Sequence, residues 1–200
     1  MSHAVKEYFN QMAANWDDLA TPETVSRLRE LIRELSIAPG SRVLDVGTGT
    51  GILLPFLLEA VGPQGRVVAL DIAEEMLIRA RAKYGHAVEY IVGDITCAPL
   101  LDTDFDEVIC NSCFPHLADK PRAAQEMARL LKPGGRVVIC HTMNREAVNS
   151  LHASLGGVVR DHLLPDDEDM LRIFTSAGFV KVGITNAPDR YLLTAWKPPV

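Results

Sequence analysis

Residues Val43 to Gly51 read VLDVGTGTG: an apolar run enters three glycines at alternate positions, and a second apolar stretch, Ile52 to Ala60, follows at once. Glycines at the exit of a strand let the backbone turn tightly and approach a ligand, and the helix behind them offers unpaired N–H groups. This segment therefore predicts a strand–turn–helix unit with a nucleotide-type site at the carboxyl end of the strand. The spacing narrows the ligand. A dinucleotide fingerprint has the form G-x-G-x-x-G, whereas here Gly47, Gly49 and Gly51 are evenly spaced and Ile52 stands where the third dinucleotide glycine belongs. No lysine follows in the manner of a phosphate-binding P-loop. Asp45, beside the turn, repels phosphates and suits a cationic ligand.

From residue 43 onward strand-like and helix-like runs alternate, the pattern of a mostly parallel sheet covered on both faces. Strands are predicted over Arg42 to Val46, Arg66 to Asp71, Val88 to Val92, Glu107 to Cys110 and Arg136 to His141. Helices are predicted over Ile52 to Ala60, Ala73 to Tyr84 and Lys120 to Leu131, the last stopped by Lys132-Pro133-Gly134-Gly135. Upstream, Thr21 and Pro22 read as N-cap and first helical position, with Val25, Leu28, Ile32 and Leu35 on one face. Downstream, a helix over Pro165 to Ala177 precedes strands Phe179 to Thr185 and Tyr191 to Trp196, whose short link requires an antiparallel hairpin. The acidic run Asp166 to Asp169 suits the positive end of that last helix rather than a metal.

The glycine turn, the strand end Val67-Val68-Ala69-Leu70-Asp71, the pair Gly93-Asp94 and the segment Leu130 to Gly135 together resemble the class I S-adenosylmethionine-dependent methyltransferases. The opening run Tyr8 to Asp17 is similar to that of small-molecule members, including those acting on quinone precursors. The resemblance implies a Rossmann-like, doubly wound α/β sheet of seven strands in the order 3-2-1-4-5-7-6, with a terminal antiparallel hairpin and helices on both faces. It implies one domain over 1–200: a helical lid over 1–40, a cofactor-binding core over 41–141, a substrate-covering insertion over 142–164, and the last helix and hairpin over 165–200. The cofactor would be S-adenosylmethionine, whose amine and sulfonium match an acidic, glycine-lined pocket.

Cofactor contacts are expected from Asp45, Gly47, Thr48, Gly49 and Gly51. Asp71, at the end of the second strand, is placed to accept from the ribose hydroxyls, and equally to cap the helix near Ala73. By resemblance, the Asp94 carboxylate meets the adenine amino group, Gly93 before it is a further cofactor contact, and Ile72 and Ile95 flank the ring. Met76 lines the same pocket, although plain core packing serves Ile72, Ile95 and Met76 equally well. Asn111 and Ser112 follow the fourth strand, where the crevice opens. The run Asn111 to His116 departs from the Asn-Pro-Pro-Tyr of relatives that methylate nucleobase or glutamine nitrogens. His116 and His141, each after a strand end, are the candidate general bases. His152 and His162 in the insertion are further acceptor-facing candidates, and Tyr8 and Trp16 are placed to close over the cofactor.

The formal charge of −6 gives no basic footprint for nucleic acid, so a small-molecule methyl acceptor is expected. No apolar run approaches the roughly 18 residues of a membrane span, and the first residues lack a signal-peptide core; a cytoplasmic location is expected. The four cysteines lie in or beside apolar runs, as in a reducing compartment. Cys110-x-x-Cys113 lacks the second ligand pair of a metal site, so no metal is expected. Two alternatives to small-molecule methylation remain: methylation of a thiol-bound metalloid, and a non-catalytic module that binds the cofactor. Nicotinamide-dependent redox chemistry is opposed by the glycine spacing.

Overall fold

The computed structural model describes residues 3–199. Among these the strands are β1 (Arg42–Val46), β2 (Arg66–Asp71), β3 (Glu89–Val92), β4 (Phe105–Asn111), β5 (Leu131–His141), β6 (Val180–Ala187) and β7 (Arg190–Trp196). They form one sheet in the order β3-β2-β1-β4-β5-β7-β6. The first five run parallel, and β7 pairs antiparallel with both β5 and β6. The helices are α1 (His3–Met12), α2 (Pro22–Leu35), α3 (Leu54–Val61), α4 (Glu74–Tyr84), α5 (Lys120–Leu130), α6 (Arg145–Leu155) and α7 (Asp167–Ser176).

Side chains along a strand alternate between faces, and here both faces are buried. Val43, Val67, Ala69, Ile109 and Val138 join a cluster with Leu28, Leu57 and Leu77 of α2, α3 and α4. Their neighbours Leu44, Val68, Cys110, Val137 and Ile139 join the opposite cluster with Met127 of α5 and Phe174 of α7. That division explains why the strands read as continuous apolar runs rather than as alternating ones. Each fully buried Leu or Phe contributes roughly 1.5–3 kcal/mol, so truncating Leu44 or Phe105, both 0% exposed, would remove a sizeable part of a typical domain's stability.

Local signals set the helix ends. Thr21 caps α2 by accepting from Thr24 N–H at 3.1 Å, with Pro22 in the first turn. Asp119 caps α5 through Arg122 N–H at 2.9 Å, and Asp166 caps α7 through Asp169 N–H at 2.8 Å. Two expectations are corrected. The strand expected from Arg136 begins earlier, at Leu131, directly after α5 ends at Leu130. There, Gly134 N–H donates to Lys197 O and Lys197 N–H to Gly135 O, at 3.0 and 2.8 Å, so the segment pairs with the residue that follows β7. The hairpin link is also tighter than expected, because pairing continues to Ala187↔Arg190 and leaves only Pro188 and Asp189 between the strands.

The order of strands reverses between β1 and β4. Ligands of such sheets bind beyond the carboxyl ends of strands at that reversal, and a small separate cluster sits there: Phe9 and Trp16 of the N-terminal segment packed on Ala13, Ala73 and Met76.

Candidate active site

A cavity of about 220 Å³ opens at this reversal. Its floor is the turn after β1. Gly47 and Thr48 donate their N–H groups to Leu70 O at 2.8 and 3.2 Å, which folds the turn over the end of β2. Gly49 N–H donates to Asp71 Oδ2 and Ala73 N–H to Asp71 Oδ1, both at 2.8 Å, so one carboxylate ties the glycine turn to the start of α4. Asp71 thus holds the entry to α4, as the capping alternative expects, and also lines the cavity. Each oxygen keeps acceptor capacity.

Gly47 and Gly49 have φ of +70° and +56°, a region that side chains rarely adopt. A Cβ on Gly47 would lie 2.2 Å from Cys113 Sγ, so the glycine is needed first for packing against the turn after β4. Gly51 does not line the cavity; a Cβ there would lie 2.7 Å from Leu54 Cδ1. It lets α3 approach the turn.

Asp45 is 1% exposed and its Oδ2 accepts from Thr48 Oγ1 at 2.6 Å. Burial, reinforced by the charge of Asp71 and only partly offset by Thr48, pushes its carboxyl up to about 7. Burial also raises Asp71, against the N–H groups of Ala73, Gly49 and Ile72. Two buried carboxylates paired with a hydroxyl and backbone N–H groups, and with no cationic side chain bonded to them, fit a ligand that brings its own positive charge.

Of the other expected contacts, Ile72, Met76, Gly93, Ile95, Asn111 and Ser112 all line the cavity, the last two at the carboxyl end of β4. Asp94 does not line it; its Oδ1 accepts from Thr96 N–H and Oγ1 at 2.9 and 2.8 Å, capping a short turn. His116 does line it, in the turn Phe114–His116. Lys120 Nζ pins that turn by donating to Pro115 O and Leu117 O, both at 3.0 Å. His141 does not reach the cavity. It ends β5 opposite Tyr191, buried, with Nε2 lacking a partner among the described residues, and its neighbour Thr142 reaches the cavity instead.

The roof comes from the N-terminal segment. Trp16 lies over Gly49, Phe9 packs edge-on against His116 at 5.1 Å between ring centres, and Tyr8 stands behind Phe9 rather than on the cavity. Asp17 latches this segment down: its Oδ1 accepts from Thr50 Oγ1 at 2.6 Å and from Lys83 Nζ at 2.7 Å. Phe9, Thr24, Leu28, Cys113 and Leu117 line the cavity without having been singled out by sequence. Only the amphipathic face of α2 hinted at Leu28. Among the described residues that line the cavity none is Lys or Arg, while three are Asp.

A family model described as a methyltransferase domain matches residues 43–135. The demethylmenaquinone methyltransferase of Symbiobacterium thermophilum is 32% identical over 143 residues, 67% of this chain and 57% of that protein. The ubiquinone/menaquinone biosynthesis C-methyltransferase of Vibrio campbellii is 35% identical over 144 residues, 68% of this chain and 56% of that protein. A crystal structure of a SAM-dependent methyltransferase from Aquifex aeolicus superposes with a TM-score of 0.76 at 25% identity, covering 94% of this chain and 97% of that one. The chain belongs to the class I S-adenosylmethionine-dependent methyltransferases. S-adenosylmethionine is the cofactor of that family, and the acidic, glycine-floored cavity fits it. The chain spans little more than half the length of the two curated relatives. No helix among the described residues is long and apolar enough to cross a membrane.

Proposed function

We propose that this chain transfers the methyl group of S-adenosylmethionine to a small, uncharged and largely apolar acceptor, releasing S-adenosylhomocysteine. One observation carries the reading: the described lining of one cavity holds three carboxylates, Asp17, Asp45 and Asp71, together with the uncharged Phe9, Leu28, Leu117 and His116, and no Lys or Arg side chain. A phosphorylated or carboxylated acceptor would find no counter-charge there. The names of the two curated relatives, both of quinone biosynthesis, support a cyclic apolar acceptor.

Each group then has a task. Asp71 accepts from the ribose hydroxyls, Asp45 supplies negative potential for the amine and sulfonium, and Gly47, Thr48 and Gly49 bring backbone close to the ligand. Ile72, Ile95 and Met76 flank the adenine, whose edge is met near Gly93 to Ile95. When bound, the cofactor supplies an electrophilic sulfonium methyl. Asn111, Ser112 and Thr142 orient the acceptor in line with it, and the lid over 1–40 and the insertion over 142–164 exclude water. Alignment alone supplies on the order of 7–11 kcal/mol of barrier reduction, and a well-placed base adds roughly a further 3–5 kcal/mol.

The metalloid alternative gains no support, because Cys113 is the single cysteine among the described residues that line the cavity. A screen of hydroquinones, phenols and small amines with methyl-labelled cofactor tests the proposal. Label should pass to one uncharged acceptor; tight cofactor binding with no transfer to any of them would favour the non-catalytic module.

A further inference from the structure

Three histidines from three separate segments converge beside the cavity that His116 lines: His116 from the turn after β4, His152 from α6, and His162 from the loop before α7. The rings of His116 and His152 are centred 4.8 Å apart and those of His116 and His162 5.3 Å apart. His152 Nδ1 meets His162 O at 2.5 Å. A carbonyl only accepts, so this nitrogen carries the hydrogen, and His152 anchors the backbone of His162. His116 Nδ1 faces His162 Nδ1 at 3.0 Å. Two neutral imidazoles that face each other this way hold one hydrogen between them. When His116 holds it, His116 Nε2 bears a lone pair; when His162 holds it, His116 Nε2 carries a hydrogen. His116 Nε2 makes no hydrogen bond among the described residues, and His116 lines the cavity.

We propose that His116 and His162 form a proton relay from the acceptor to solvent, with His116 as the catalytic base and His162 as the positioning residue that fixes its tautomer and receives its second proton. This rests on the methyl-transfer reading above. The acceptor atom forms its bond to the methyl carbon as the carbon–sulfur bond breaks, and that bond's electron pair stays on sulfur. The acceptor's X–H bond breaks and its proton goes to His116 Nε2. In the same step the Nδ1 hydrogen of His116 passes to His162 Nδ1, and the half-exposed His162 releases its Nε2 proton to water. One proton enters and one leaves, so His116 never rests as a cation.

That feature answers the electrostatics of the site. Burial, then the charges of His152, His162, His141 and Lys120, pull His116 down to about 3, so a base that had to store the proton would be a poor one here. His162 is also lowered, by burial and then by Lys120 and His152 against Asp161. The relay implies an acceptor whose reacting atom carries a weakly acidic proton, an O–H or N–H group, rather than a thiolate or a tertiary amine. A metal role is not indicated: among the described residues no three His, Cys, Asp or Glu side chains converge to hold an ion.

The test is ¹⁵N magnetic resonance of histidine-labelled full chain saturated with S-adenosylhomocysteine, with calorimetry of the same samples. The relay predicts complementary protonation of His116 and His162 at Nδ1, with scalar coupling across the pair, and an Nδ1-protonated His152. His162→Phe should abolish the coupling and move the His116 nitrogen signals toward the Nε2–H tautomer. His162→Gln, whose amide oxygen accepts from an Nδ1–H, should restore the wild-type His116 signals in part. Absence of coupling in the wild type, or His116 signals unchanged in His162→Phe, overturns the relay. Loss of S-adenosylhomocysteine heat with the coupling intact would instead strike the methyl-transfer reading, so the two failures are distinguishable.

Discussion

The carboxylate-bearing and the uncharged parts of the cavity lining are built in opposite ways. The carboxylate-bearing part comes from short, contiguous pieces of chain, residues 45–49 and 71–76, locked to one another by Gly49 N–H and Ala73 N–H on a single Asp71 side chain. The uncharged lining is assembled from residues 9, 28, 116, 117 and 142, which meet only through tertiary packing of an N-terminal segment, α2, a post-strand turn and the residue after β5, with His152 and His162 packed on His116. On the proposed function, a fixed cofactor allows the first part to be a local motif. An acceptor that differs between relatives leaves the second to segments outside the sheet, where side chains change without disturbing the strands.

If this contrast holds, the largest effect belongs to the turn. Gly47→Ala forces a side chain at φ +70° onto Cys113; strain of roughly 1–2 kcal/mol and overpacking of roughly 1–3 kcal/mol should lower the urea midpoint markedly. Adding Cys113→Gly should restore the overpacking part only, and a double-mutant cycle without coupling would show that the contact is not what requires glycine.

Next comes a split between the two parts. Asp71→Ala should weaken S-adenosylhomocysteine binding about 10-fold to 150-fold, the equivalent of roughly 1.5–3 kcal/mol for a lost charged hydrogen-bond partner. His116→Asn should change it less than about threefold. Calorimetry giving equal losses for both would erase the distinction.

The pH dependence follows from Asp45. With its carboxyl at about 7, above the usual 3.8, the folded protein holds a proton that the unfolded chain releases. The stabilisation from that proton is complete below the usual value and is lost as pH rises through about 7. Asp45→Asn should therefore gain thermal stability over the wild type increasingly from pH 4 to 7, then level off. A cationic ligand favours the carboxylate, so wild-type affinity for S-adenosylmethionine should fall by up to about tenfold per unit below pH 7, and the variant should lose this slope. Parallel pH profiles for the two proteins would remove Asp45 from the account.

The smallest effect belongs to the latch. Asp17 is half-exposed toward Lys83, and such surface pairs contribute about 0–1 kcal/mol. Asp17→Ala should weaken cofactor binding less than about fivefold yet speed hydrogen exchange over residues 9–17. Unchanged exchange would mean that aromatic packing alone holds the roof.

The same contrast explains what was legible in the sequence. Strands β1 and β2 were readable to the residue, because both faces are buried and the apolar runs end at glycines or an aspartate. The glycine turn that the cavity shares was readable through Gly47, Gly49 and Asp71, whose turn and capping contacts are local. Gly51 and Asp94 belong to the same motifs, but neighbouring side chains, Leu54 and Thr96, decide what they touch. His116 and His141 looked equivalent as residues following parallel strands. Alternation along β5 and its extension against Tyr191 turned one of them away from the cavity, a matter of register that spacing does not encode. The meeting of His116 with His152 and His162 depends on how 145–164 folds back over the sheet, and no local pattern specifies that.

The account stands on the claim that the carboxylate-bearing part of this cavity is built for a cationic sulfonium nucleoside. Isothermal titration of the wild-type chain at pH 8 with S-adenosylmethionine, and in parallel with NADH, tests it most directly. One S-adenosylmethionine site per chain, lost in Gly47→Ala and weakened in Asp71→Ala, with no heat from NADH, is the predicted result. No heat from S-adenosylmethionine at millimolar concentration, or saturable binding of NADH, would contradict it.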